Sequence, residues 1–132
     1  MKVVILGIDG YIGWPLALRL LKEGHDVVGV DSFYTRARVS EVGSGSITPI
    51  KDMKDRIRDA SKFYGKTIEF YEGDINDPDF VYMFMEKEKP DAIVHLAEQR
   101  SAPYSMIGLK QARETLIQNM GGTINLVYAM KD

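Results

Sequence analysis

The 132-residue chain contains no cysteine and only two histidines, His25 and His95, which lie far apart in the sequence. Disulfides, thiol nucleophiles and cysteine-ligated metals are therefore excluded, and we expect no metal site. No apolar run approaches the length of a membrane span, and the run after Lys2 is too short for a signal peptide. The net charge of −2 comes from interleaved acids and bases, which argues against a nucleic-acid partner. These absences predict a cytoplasmic domain without nucleic-acid or membrane partners.

The strongest pattern lies in the first thirty residues. Residues 3–6 form a short, wholly apolar run, which is typical of a strand buried on both faces. A G-x-x-G-x-x-G turn follows, and its glycines are Gly7, Gly10 and Gly13. A stretch with helical periodicity comes next and ends at Gly24, and a second apolar run over 27–30 ends on Asp31. Strand, glycine turn, helix, strand and acid together are the layout of a dinucleotide-binding βαβ unit.

Helical and strand patterns alternate along the rest of the chain. We predict an irregular segment at 32–50, helices at 51–64, 78–89 and 108–130, and strands at 67–71 and 92–96. Gly121 and Gly122 interrupt the last helix, which indicates close packing against another element. The alternation predicts an α/β fold, the first half of a Rossmann-type doubly wound parallel sheet with strand order 3-2-1-4. The fourth strand would be an apolar edge. We therefore expect residues 1–132 to be the N-terminal part of an NAD-binding Rossmann domain whose remaining strands and substrate domain belong to a longer protein.

The glycine turn and Asp31 predict the cofactor. The turn needs small residues because a Cβ would keep a phosphate away from the backbone amides at the start of the helix. Its spacing is typical of short-chain dehydrogenases of the extended type, although a glycine turn can also be purely structural. Asp31 is placed to accept hydrogen bonds from the adenosine ribose, which favours NAD over NADP, and a helix N-cap is the alternative role. Arg36 and Arg38 follow Asp31 closely, so binding of NADP stays an alternative to binding of NAD.

Polar residues also follow the third and fourth strands, where ligands bind in parallel sheets. Asp74 can accept a hydrogen bond from the adenine amine; the alternative is an ordinary acid that precedes a helix. Arg56, taken by itself, is best explained as a solvated charge on a helix surface. His95 is better explained as a packed histidine than as an acid–base group. Asn119 lies inward on the last helix, either with local partners or in a proton relay. The polar group beyond the fourth strand comprises Glu98, Gln99, Arg100 and Ser101. Among these, Arg100 suits a phosphate or a sulfur oxyanion.

Four segments of the chain resemble the UDP-sulfoquinovose synthases, a branch of the extended short-chain dehydrogenases. They are EQRSAPYSM at 98–106, GYIGW at 10–14, SITPI at 46–50 and GTINL at 122–126. The resemblance covers essentially the whole chain. Ordinary sugar epimerases tend to have two alanines where this chain has Ala97 and Glu98, so the Glu-Gln-Arg run is the specific part of the match.

The resemblance implies an enzyme that holds NAD and makes UDP-sulfoquinovose from UDP-glucose and sulfite. In that chemistry a hydride leaves C4 of the sugar, and the resulting ketone allows water to be lost across C5 and C6. Sulfite then adds to C6 and the hydride returns to C4, so NAD undergoes no net redox change. For the full-length enzyme we expect a homodimer.

The resemblance also implies roles for individual residues. Tyr11 and Ile12 would lie on the pyrophosphate, and Asp74 and Ile75 would lie beside the adenine. The group expected around the rest of the cofactor comprises Asp31, Ser32, Thr35, Arg36, Arg56, Leu96 and Ala97. The group expected to face the substrate or sulfite comprises Gln99, Arg100 and Ser101. Asn119 would support a catalytic lysine through water.

The catalytic residues of the family are absent from this chain. The chemistry uses a tyrosine with a lysine four positions later, and a threonine or serine nearby. None of the seven tyrosines has a lysine at that spacing, so we expect these groups downstream of Asp132 and expect the 132 residues alone to be inactive. A nucleotide-sugar 4-epimerase or 4,6-dehydratase of the same fold is one alternative. A non-catalytic NAD-binding module is the other.

Overall fold

A computed structural model describes residues 1–132, and its centre is one parallel sheet of four strands. The strands are β1 (Lys2–Leu6), β2 (Asp26–Asp31), β3 (Ile68–Glu72) and β4 (Ala92–His95). Their order in the sheet is β3-β2-β1-β4, which confirms the predicted order of the Rossmann-type α/β fold. β4 lies at an edge of the sheet, also as predicted.

Seven α-helices connect or follow the strands. They are α1 (Gly13–Lys22), α2 (Tyr34–Glu41), α3 (Met53–Tyr64), α4 (Pro78–Glu88), α5 (Ala102–Ser105), α6 (Leu109–Leu116) and α7 (Gly122–Lys131). A π-helical turn (Ile117–Gly121) joins α6 to α7. None of these helices has the length and apolar character that a membrane span requires.

Local capping residues explain the helix boundaries that the sequence predicted well. At the start of α3, Asp52 accepts a hydrogen bond from the Asp55 amide at 2.8 Å. Gly65 ends the same helix with a φ of 69°, a left-handed conformation that glycine adopts without steric cost. Asp77 caps α4 by accepting from the Asp79 amide at 3.0 Å. These contacts lie within a few residues of each other, so a local pattern predicts them.

The inner strands bury both of their faces because successive side chains of a strand point in opposite directions. Val4 and Leu6 pack with Phe84 of α4 and Leu126 of α7. Ile5, which lies between them, belongs to the opposite cluster. That cluster contains Ile8, Ala17, Leu21, Val27, Met53, Ala60 and Ile68, contributed mainly by α1, α3 and the strands. Each fully buried side chain of this kind contributes roughly 1.5–3 kcal/mol to stability, so packing against the two layers of helices stabilises the sheet.

The strand register brings all four carboxyl ends to one edge of the sheet. Leu6 pairs with Val30 on one side and with His95 on the other, and Asp31 pairs with Glu72. The segments that follow the strands therefore leave the sheet side by side. In sheets of this kind ligands bind at that edge.

Two helices lie where the sequence predicted none. Residues 34–41, expected to be irregular, form α2. This helix buries none of its residues, so the sequence has no apolar periodicity there from which a helix could be predicted. Contacts distant in sequence hold it instead, because the Arg38 guanidinium lies 5.7 Å from the Tyr104 ring centre and 3.5 Å from Glu114 of α6. The four-residue α5 was also not predicted, and Ser101 caps it by accepting from the Tyr104 amide at 3.3 Å.

The single helix predicted over 108–130 is divided by the π-helical turn. Such turns insert an extra residue into a helix and redirect the side chains near it. Gly121 and Gly122 confirm the predicted close packing. A Cβ on Gly121 would lie 2.5 Å from the Asn76 side-chain oxygen, and one on Gly122 would lie 2.5 Å from Cδ1 of Ile75.

Candidate cofactor site

A crevice of about 1030 Å³ opens at the carboxyl edge of the sheet. The segments after all four strands line it, and so do parts of α2, α3 and the 44–51 segment. This volume is at the upper end of the usual range for small-molecule sites, so the crevice has room for a dinucleotide. The residues predicted for the cofactor that line it are Gly7, Gly10, Tyr11, Asp31, Ser32, Thr35, Arg36, Arg56, Asp74, Ile75, Leu96 and Ala97.

Five of the predicted site residues lie outside this lining: Ile12, Gly13, Gln99, Ser101 and Asn119. Ile12 is the N-cap residue of α1 and Gly13 is its first residue, so their backbone amides rather than their side chains are available there. A side chain on Gly13 would collide with the backbone of Gly7 and Ile8, so its glycine is needed for packing of the turn.

The glycine turn packs directly against the end of β4. Gly7 has a φ of 85°, and a Cβ there would lie 2.8 Å from both the carbonyl carbon and the oxygen of Leu96. Further along the turn, the N–H groups of Tyr11, Ile12 and Gly13 donate to no acceptor within the chain. Free amides at a helix N-terminus are suited to bind a diphosphate. The turn therefore fits the phosphates of a dinucleotide.

Asp31 ends β2 with its carboxylate against the glycine turn. Oδ2 accepts from the Asp9 amide at 2.8 Å, and Oδ1 accepts from the Phe33 amide at 2.8 Å. Burial raises the pKa of Asp31, and the two amide donors act in the opposite direction. Phe33, not Asp31, occupies the N-cap position of α2. Since each carboxylate oxygen has room for a further hydrogen bond, Asp31 can still receive ribose hydroxyls.

The sequence reasoning missed Asp9, the acid inside the glycine turn. Its carboxylate accepts from Arg36 at 2.6 and 2.7 Å and from Arg56 at 2.6 Å. Arg56 is thus not a solvated helix charge: its side chain is 12% exposed, and its guanidinium lies 4.2 Å from the Trp14 ring centre. The one sign of this role in the sequence is that an acid, Asp9, lies within the turn between Gly7 and Gly10.

Asp74 lines the crevice beyond β3. Its Oδ1 accepts from the Asn76 amide at 2.9 Å and from the Gln118 side chain at 3.1 Å. Its Oδ2 accepts no hydrogen bond within the chain, so this oxygen is available to an adenine amine. The π-helical turn brings Gln118 to Asp74, a contact between residues 44 positions apart that no local pattern predicts.

Beyond β4, a reciprocal pair of hydrogen bonds holds the backbone. The Asn119 side chain accepts from the Gln99 amide at 2.7 Å and donates to the Gln99 carbonyl at 3.0 Å. The Gln99 side chain is turned inward, where it bonds the Ser101 backbone N–H at 2.9 Å and the Ser101 carbonyl at 3.2 Å. Of the three residues predicted to face a substrate, only Arg100 lines the crevice. Arg100 and Glu98 are exposed, and their side chains form no hydrogen bond or ion pair within the chain.

The contacts of His95 are those of a packed histidine. Its Nδ1 accepts from the Ala97 amide at 3.3 Å, which leaves the proton on Nε2 to be donated to the Thr123 hydroxyl at 3.1 Å. That hydroxyl donates in turn to the Asn119 carbonyl at 2.7 Å. Burial lowers the pKa of His95, which favours the neutral ring.

The crevice has groups suited to each part of a dinucleotide: free amides for the diphosphate, Asp31 for a ribose and Asp74 for an adenine. The fold and the crevice thus define a Rossmann-type dinucleotide-binding protein. The chain belongs to the NAD dependent epimerase/dehydratase family, whose sequence model matches residues 3–132. NAD is the cofactor of this family, which confirms the cofactor predicted from the glycine turn and Asp31.

Two curated relatives confirm the resemblance found in the sequence. The chain is 48% identical to a UDP-sulfoquinovose synthase of Sulfolobus acidocaldarius over 130 residues, which are 98% of this chain and 33% of that protein. It is 43% identical to the chloroplastic UDP-sulfoquinovose synthase of Spinacia oleracea over 131 residues, which are 99% of this chain and 27% of that protein. The chain therefore spans about a third of the length of the curated relatives it matches.

A solved structure shows the same fold. It is a UDP-glucose-4-epimerase from Stenotrophomonas maltophila with bound NAD and formylated UDP-arabinopyranose. The two chains are 27% identical and superpose with a TM-score of 0.77 over 99% of this chain and 33% of the epimerase. This similarity confirms the Rossmann-type fold.

Proposed function

We propose that the chain is the NAD-binding part of a UDP-sulfoquinovose synthase, which converts UDP-glucose and sulfite to UDP-sulfoquinovose. The observation that carries the proposal is the position of Arg100. This exposed cation lines the same crevice as Asp31 and the glycine turn, and its side chain forms no ion pair within the chain. A guanidinium there suits sulfite or a sugar phosphate. The 48% identity to a named synthase supports this branch of the family.

The chain's own residues would hold and orient the cofactor, which when bound accepts a hydride from the sugar and returns it. The backbone N–H groups of Tyr11, Ile12 and Gly13 would donate hydrogen bonds to the diphosphate, because they donate to no acceptor in the chain. Asp31 would receive the adenosine ribose and Asp74 the adenine. The remaining residues proposed to surround the cofactor are Ser32, Thr35, Arg36, Arg56, Ile75, Leu96 and Ala97.

Proton transfer at C4 would need groups outside this sequence, because no tyrosine of the chain is followed by lysine at the required spacing. Within the chain, Asn119 would support the chemistry by positioning. Its side chain is committed to the backbone of Gln99, so it fixes the segment that presents Arg100.

Product analysis tests the proposed reaction. The full-length protein, incubated with UDP-glucose, should form UDP-sulfoquinovose only when sulfite is added, as detected by mass spectrometry. Formation of UDP-galactose or of a 4-keto-6-deoxy sugar without sulfite would identify an epimerase or a dehydratase instead. NAD binding without any conversion of UDP-glucose would favour a non-catalytic module.

Two substitutions separate the proposed cofactor and substrate roles. Asp31→Ala should weaken NAD binding roughly tenfold to a hundredfold in titration calorimetry, because a charge-assisted hydrogen bond is lost. Arg100→Ala should leave NAD affinity intact and slow the reaction with sulfite or UDP-glucose. Arg113→Ala on α6 is the matched control, since Arg113 is exposed and does not line the crevice. A selective loss of NAD affinity in Arg100→Ala would refute the substrate role.

A further inference from the structure

The glycine turn contains a carboxylate that binds two arginines from two different helices. Asp9 accepts from Nε and Nη2 of Arg36 on α2, at 2.6 and 2.7 Å, and from Nη1 of Arg56 on α3, at 2.6 Å. The side chain of Asp9 is only 9% exposed. Short hydrogen bonds between opposite charges in a sheltered place are the strong kind, so this arrangement is well defined.

The cluster is continuous with the acid that ends β2. The Asp9 amide donates to Asp31 at 2.8 Å, and all four charged side chains line the crevice. Two carboxylates therefore face two guanidinium groups, and the four charges cancel. Aromatic rings confine the arginines further, since Arg56 lies 4.2 Å from the Trp14 ring centre and Arg36 lies 5.3 Å from that of Phe33.

This neutrality matters because arginine beside the end of the second strand is the usual device for receiving the 2′-phosphate of NADP. Two guanidinium groups, of Arg36 and Arg56, line the crevice together with Asp31, yet both donate to Asp9. Burial lowers the pKa of Arg56, and the nearby carboxylate of Asp9 opposes that shift. A 2′-phosphate would have to displace Asp9 from both arginines while meeting the negative charge of Asp31.

We propose that Asp9 is a specificity-determining residue: it withholds Arg36 and Arg56 from a 2′-phosphate and so makes the crevice prefer NAD over NADP. The inference rests on the proposed NAD-binding function and deepens it. Asp31 repels the 2′-phosphate directly, whereas Asp9 acts through the two arginines. Removal of the Asp9 charge leaves the cluster with one positive charge in excess and frees donors for phosphate.

The experiment measures dissociation constants for NAD and NADP by titration calorimetry on the full-length protein. Asp9→Asn keeps the size of the side chain and removes its charge. The ratio of affinities should move toward NADP by roughly tenfold to a hundredfold, the value of one or two charge-assisted hydrogen bonds. Arg36→Gln, made in the presence of Asp9, leaves a negative excess and should move the ratio the other way. Glu23→Gln is the control, because Glu23 pairs with Arg19 on the exposed face of α1 and should leave the ratio unchanged.

The outcomes separate this inference from the function on which it rests. If the unaltered protein does not bind NAD, the proposed function is wrong. If it binds NAD and Asp9→Asn leaves the ratio of affinities unchanged, the role of Asp9 is wrong. A merely structural role would weaken both cofactors alike and leave their ratio constant. If Asp9→Asn does not fold, Arg36→Gln decides, since a constant ratio or a shift toward NADP would overturn the proposal.

Discussion

The two sides of the crevice are held in different ways. The nucleotide side, made by the glycine turn, Asp31, Arg36 and Arg56, is joined by ion pairs and charge-assisted hydrogen bonds to Asp9. The side proposed to face the substrate (the substrate side, residues 96–101) is joined by neutral hydrogen bonds between the Asn119 side chain and the Gln99 backbone. The arginines of the nucleotide side are thus paired with an acid of the same side, whereas the side chains of Glu98 and Arg100 on the substrate side form no ion pair.

Under the proposed function, this difference would separate recognition of the cofactor from recognition of the substrate. A cluster whose charges cancel is already arranged before ligand arrives, so little reorganisation is needed on binding. Unpaired charges on a backbone fixed by Asn119 can bind an ion without first breaking a bond in the protein. We therefore expect changes on the two sides to affect different ligands, and three experiments test how far the sides are independent.

The largest effect is expected at Gly7, where the two sides touch. The substitution Gly7→Ala has two costs: a non-glycine residue is strained in this left-handed conformation, and its Cβ would lie 2.8 Å from the Leu96 backbone. Together they should lower the free energy of unfolding by about 3 kcal/mol or more. NAD affinity and sulfite-dependent turnover should both be lost. Urea unfolding followed by circular dichroism measures the first effect, and calorimetry with product analysis measures the others.

Gly24→Ala is the matched control for this substitution. Gly24 has a φ of 86°, nearly the same as that of Gly7, but no atom lies within 4 Å of the position of a Cβ. Only the backbone strain remains, so the cost should be about 1–2 kcal/mol with cofactor binding retained. Equal costs at the two positions would mean that contact between the turn and β4 does not matter.

A smaller effect is expected from Asn119→Leu on the substrate side. The change leaves the N–H and carbonyl of Gln99 unpaired and should lower the free energy of unfolding by about 2–3 kcal/mol. NAD affinity should change less than turnover, because the nucleotide side is untouched. Asn125→Leu is the control: it removes a single hydrogen bond, to the Ile75 carbonyl, and should cost about half as much. A greater loss of NAD affinity than of turnover would show that the sides are not independent.

The smallest effect concerns pH and His95, which packs under the substrate side. Burial lowers the pKa of His95 from its usual 6.5, so the unfolded chain takes up a proton before the folded one does. Stability should therefore be lost as pH falls below about 6.5, by at most about 1.4 kcal/mol per pH unit. His95→Gln should abolish that part of the slope in urea titrations between pH 5 and 7. An unchanged slope would assign the loss to other groups.

The sequence predicted well those features that depend on neighbouring residues. The four strands, the ends of α3 and α4 and the glycine turn each follow from caps, apolar runs or spacing within a short window. The prediction failed for α2, which has no apolar face, and for the π-helical turn, which is held by contacts to Asp74 and Gln99. In both cases the stabilising partner lies tens of residues away, beyond the reach of local patterns.

The same division holds for the candidate site. Spacing alone singled out Asp31, Asp74 and Arg100, because the carboxyl ends of parallel strands must meet at one edge. It gave no reason to connect Asp9 to Arg56, 47 positions away, or to turn Gln99 inward and leave Arg100 in the crevice. The order of apolar runs and glycines determined which backbone segments border the crevice. Only the packed tertiary structure decided which charges are neutralised there, since a charge finds its partner by distance in space and not by position in the chain.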